Sequence, residues 1–110
     1  MKLYGLKNCD SCKKALKELK NAGKNIEFID IRLDPVSSKT IESWLDQHGD
    51  TVLVNRKSTT WRNLSDADRQ SSVPLLLQAH PTLIKRPVIL VGDQSYVGWN
   101  ASVKSALGVV

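Results

Sequence analysis

The feature that most constrains this chain is a change of hydrophobic period at its two cysteines, Cys9 and Cys12. Before them, Leu3 and Tyr4 form a short apolar stretch that reads as a strand. After them, Cys12, Ala15, Leu16, Leu19 and Ala22 recur at helical spacing and make one face of an amphipathic helix, which Gly23 closes as a C-terminal cap. Cys9 therefore falls at a helix N-terminus, where the unpaired N–H groups of the first turn favour negative charge. That matters because the thiolate is the reactive form of cysteine. A helix end is worth roughly 0.3–1 kcal/mol at an exposed site, against about 1.4 kcal/mol per pKa unit, so it cannot ionise a thiol near neutrality by itself. More positive charge is needed. Lys7, Lys13 and Lys14 are the local candidates, whereas Asp10 opposes them unless it turns away as a helix cap.

The rest of the chain sets the fold class. Residues 26–31 are β-branched and aromatic and read as a second strand, completing a strand-helix-strand unit whose crossover should be parallel and right-handed. Ser37 or Ser38 is expected to cap a helix with Ile41, Trp44, Leu45 and His48 inward, ending at Gly49. Residues 51–70 are the least regular. Ser65 should cap a brief helix over 66–69, and Ser72 should open another that Pro81 stops after His80. Residues 83–91 read as one buried strand, turned by Gly92-Asp93 into a partner strand over 94–97, and Asn100 caps a last helix. The order β-α-β, a helical insertion at about 37–80, then β-β-α predicts one α/β domain over 1–110. At 110 residues and 41% hydrophobic, the chain can bury a core without disulfides.

Composition narrows the function. No apolar run is long enough to cross a bilayer and no signal peptide is evident, so a cytoplasmic protein with no membrane association is expected. There a dithiol is catalytic, sensing or metal-binding rather than a permanent bridge. A net charge of +5 suits an anionic partner. It comes without a basic block or interleaved aromatics, so direct nucleic-acid binding is not expected. A zinc site needs four ligands, and only His48 and His80 could join the cysteines, which favours redox chemistry and no metal.

Element order, the Cys-x-x-Cys and a proline opening the third strand resemble the thioredoxin fold, which implies a mixed sheet and a cis peptide bond at Pro87, facing the redox cysteine. Three patches make the likeness more specific: Tyr4-Gly-Leu-Lys-Asn-Cys9-Asp-Ser-Cys12-Lys13-Lys14-Ala15, then Asn55-Arg56-Lys57-Ser58-Thr59-Thr60-Trp61-Arg62, then His80-Pro-Thr-Leu-Ile-Lys-Arg86-Pro87. They resemble the arsenate reductase (ArsC) family, above all its small YffB-like branch. The resemblance implies Cys9 as nucleophile and Arg56 and Arg86 as arginines that hold an oxyanion and lower the cysteine's pKa, a task suited to a planar guanidinium. It also implies thiol chemistry drawing on glutathione or glutaredoxin as partner, with no bound cofactor. Two departures count against arsenate. Lys13 stands where arsenate reductases carry an arginine, and the arginine expected near Gly98-Trp99 is absent. Cys12 is an addition that offers Cys9 a resolving partner. The expected activity is therefore a glutathione-dependent thiol/disulfide reductase acting on a small-molecule or protein thiol. The alternatives are an arsenate reductase proper and an Spx-type regulator that binds RNA polymerase.

Overall fold

The strand that leads into the cysteines lies inside a sheet. The computed structural model describes residues 1–109. In it β1 (Lys2–Gly5) pairs on one side in parallel with β2 (Glu27–Asp30) and on the other antiparallel with β3 (Val88–Val91), which pairs with β4 (Gln94–Val97), giving the order β2-β1-β3-β4. α1 (Asp10–Asn21) is the crossover between β1 and β2, and α7 (Ala101–Ala106) follows β4. These elements belong to one compact unit, Met1–Ile31 together with the chain from Arg86 onward. Its core is the predicted face of α1, with Cys12, Ala15 and Leu19 fully buried against Leu3, Ile89, Val103 and Leu107. Alternation along β1 and helical spacing along α1 thus bury one surface in common. A polar cluster fastens the far side: Trp99 Nε1 and Lys104 Nζ both donate to the Glu18 carboxylate, Lys104 at 3.2 Å.

The second compact unit, Arg32–Lys85, is helical. It contains α2 (Ser38–His48), α3 (Asp50–Leu53), α4 (Thr59–Arg62), α5 (Asp66–Arg69), α6 (Val73–Ala79) and a 3-10 turn at Pro81–Leu83. Ser37, Ser58 and Ser65 cap three of these helices by accepting the backbone N–H three residues on. Ile41, Trp44, Leu53, Leu76, Leu77 and Leu83 are buried there. Gly49, at φ +81°, divides α2 from α3 in a conformation that other residues rarely adopt.

Several details differ from the expectations. Asp10 is the first helical residue and Cys9 occupies the N-cap, so Asp10 does not cap. The apolar run 83–91 is not one strand. Leu83 lies in the 3-10 turn, Ile84 bridges to Val54, and β3 starts only at Val88, because Pro87 has no N–H for the ladder. The insertion expected at about 37–80 lies within the larger span 32–85. Among the described residues, no helix is long and apolar enough to cross a membrane.

Leu19, fully buried between α1 and the sheet, gives a check on this packing. Leu19→Ala should cost about 2–5 kcal/mol in urea unfolding with an unchanged m value. A loss below about 1 kcal/mol would contradict its place in the core.

Candidate active site

The antiparallel register sets Val88 opposite Tyr4, so the two residues before Val88, Arg86 and Pro87, arrive at the C-terminal end of β1, where the cysteine loop begins. The Arg86–Pro87 peptide bond is cis, and the Pro87 carbonyl accepts the Gly98 N–H at 2.8 Å. The loop itself is tight. The Cys9 N–H donates to the Leu6 carbonyl at 3.2 Å, and the Cys9 carbonyl accepts the Lys13 N–H at 3.0 Å, the first bond of α1.

Both cysteines are free thiols, and their surroundings drive them apart. Cys9 is half-buried, and burial alone would raise its pKa. The Cys12 backbone N–H, the Cys12 thiol and then the Arg86 guanidinium outweigh that, so the Cys9 pKa is lowered. Cys12 has no exposed surface, and burial pushes its thiol up to about 12, with the neighbouring Cys9 adding to the rise. Cys12 thus holds its proton far more tightly than an ordinary thiol, and Cys9 less tightly. The two sulfurs therefore differ in how readily they become thiolates, the reactive form of cysteine.

Of the residues singled out from sequence, Cys9, Cys12, Arg86 and Pro87 therefore lie together in the first unit. Lys13 sits on the exposed face of α1. Arg56 belongs to the second unit, where its guanidinium meets Asp50 Oδ2 at 3.0 Å and lies 5.3 Å from the centre of the Trp61 ring. With Lys57 and Lys85 it lines a depression of about 370 Å³. Arg69, which carried no signal in the sequence, approaches the same ring at 5.5 Å and donates to the Trp61 and Arg62 carbonyls. Among the described residues, no group of three or more His, Cys, Asp or Glu is placed to hold a metal ion.

The family model for ArsC matches residues 4–106, nearly the whole chain. The chain belongs to the ArsC family. An uncharacterised protein from Haemophilus influenzae is 40% identical, spanning 89% of this chain and 90% of that one. The solved structure of the YffB (PA3664) protein is 30% identical and superposes with a TM-score of 0.87, over 96% of each chain. An arsenate reductase (ArsC) related protein from Brucella melitensis, also 30% identical, gives a TM-score of 0.73 over 96% of this chain and 91% of that one. The mixed sheet of this ArsC-family chain is the thioredoxin-like fold that the resemblance implied.

If Arg86 lowers the Cys9 pKa, its loss is visible in reactivity. Because Cys12 is sealed, alkylation reports on Cys9. Near neutrality Arg86→Ala should slow it roughly threefold to tenfold, with rates converging at high pH and Arg86→Lys falling between. Superimposable pH profiles for Arg86→Ala and wild type would contradict the assignment.

Proposed function

We propose that this ArsC-family chain is a glutathione-linked thiol reductase that uses Cys9 as its nucleophile. The observation that carries this reading is the divided cysteine pair: a half-exposed Cys9 with a lowered pKa beside a buried, protonated Cys12 and the Arg86 guanidinium. In the proposed cycle the Cys9 thiolate attacks the glutathionyl sulfur of a mixed disulfide, R–S–SG. The S–S bond breaks, its electron pair leaves on R–S⁻, and the mixed disulfide Cys9–S–SG forms. A second glutathione thiolate, or a glutaredoxin thiolate, attacks the glutathionyl sulfur and regenerates the Cys9 thiolate, releasing a disulfide. Both halves pass through an anionic sulfur, which Arg86 is suited to hold as charge shifts along the S–S axis.

Arg56 is assigned to the substrate's anionic groups. Support comes from its position in the family pattern and from its company in a cationic depression with Lys57 and Lys85. A ligand with two carboxylates, such as glutathione, suits such a surface. The absence of an arginine at Lys13 and near Gly98-Trp99 favours a thiol substrate over arsenate. The reaction belongs in a reducing compartment, consistent with both cysteines being free.

The test is turnover of a glutathione mixed disulfide by the wild-type chain with glutathione, followed as oxidised glutathione, with arsenate assayed separately. Cys9→Ser should fall to the uncatalysed rate. Wild type turning over no faster than buffer, or Cys9→Ser retaining the activity, would overturn the proposal.

A further inference from the structure

Gly5, the last residue of β1, needs no side chain for a reason unrelated to its backbone. The chain has six glycines, and the other five, Gly23, Gly49, Gly92, Gly98 and Gly108, adopt positive φ, where a side chain would be strained. Gly5 is in extended strand geometry that any residue can adopt. Glycine inside a strand weakens it, and it often marks a place where another group approaches the backbone closely. Here that group is the Cys12 sulfur. A Cβ at Gly5 would overlap Cys12 Sγ outright and stand 3.2 Å from Cys12 Cβ and 3.4 Å from Leu3 Cδ2.

We propose that Gly5 is a positioning residue for the active site: its missing side chain lets the Cys12 sulfur lie against β1, from where the Cys12 thiol donates a hydrogen bond to the Cys9 sulfur. The inference rests on the thiolate reading of Cys9 and deepens it. Cys12 serves as the fixed donor of the pair, held between the β1 backbone and Cys9. The groups that act on the two sulfurs are each other, the Cys12 and Leu6 backbone N–H groups and Arg86. Of the atoms that a side chain at position 5 would meet first, those of Cys12 and Leu3, only Cys12 belongs to this set. No residue at position 5 touches the substrate or Cys9 in this account, so its effect must travel through the Cys12 sulfur.

That dependence can be isolated by a double-mutant cycle. The pH profile of Cys9 alkylation by iodoacetamide is measured by mass spectrometry for reduced wild type, Gly5→Ala, Cys12→Ala and the double variant, each checked by thermal unfolding. Gly5→Ala should slow Cys9 alkylation near neutrality roughly threefold to tenfold, in the same direction as Cys12→Ala. The double variant should be no slower than Cys12→Ala alone, because an alanine at position 12 leaves no sulfur to displace. A folded Gly5→Ala with the wild-type profile, or additive losses in the double variant, would overturn the proposal. Should Gly5→Ala not fold, recovery of folding in the double variant supports the sulfur contact and continued failure overturns it. A lowered wild-type midpoint that Gly5→Ala leaves in place sinks only this inference. A wild-type midpoint at the ordinary thiol value sinks the thiolate reading as well.

Discussion

The structure turns on a contest at one sulfur. Partial burial disfavours a charged Cys9, and three donors, the Cys12 N–H, the Cys12 thiol and the Arg86 guanidinium, win against it. A helix end is worth less than one pKa unit by itself, and the Cys12 thiol and the Arg86 guanidinium add to it. The site therefore needs donors gathered from different parts of the chain. Two come from the first turn of α1, and one comes from a segment more than seventy residues later in sequence.

The sheet performs that gathering. β1 ends at Gly5, the cysteine loop follows, and α1 starts from Cys9. The antiparallel register of β3 on β1 then carries Arg86 to the same end. Burying one face of α1 against Leu3 and Ile89 fixes Cys12, because Cys12, Ala15 and Leu19 lie on that face together. The same burial that makes Cys12 part of the core keeps it protonated, so its packing role and its role as a donor have one cause.

How much of this was legible beforehand follows from the range of each signal. α1 and its inward face were legible because twelve residues hold more than three turns of period. The serine caps at Ser37 and Ser65 were legible because capping is a local hydrogen bond. α3 and α4 were not, since four residues hold too few positions to show any period. The run 83–91 misled because apolar content continues through Leu83 and Ile84, while the strand ladder cannot begin until after Pro87. Arg86 could be named only through the family resemblance, because nothing local reveals what a strand register will set opposite Cys9. Gly5 did carry a signal, a glycine ending a strand, but its meaning depended on Cys12 standing next to it in space.

The most direct measurement is the ionisation of Cys9 in the reduced wild-type protein, read from thiolate ultraviolet absorbance against pH, with Cys9→Ser subtracted. The expected midpoint lies clearly below that of an unperturbed cysteine, with Cys12 still protonated throughout that transition. A Cys9 midpoint at or above the ordinary thiol value would contradict it.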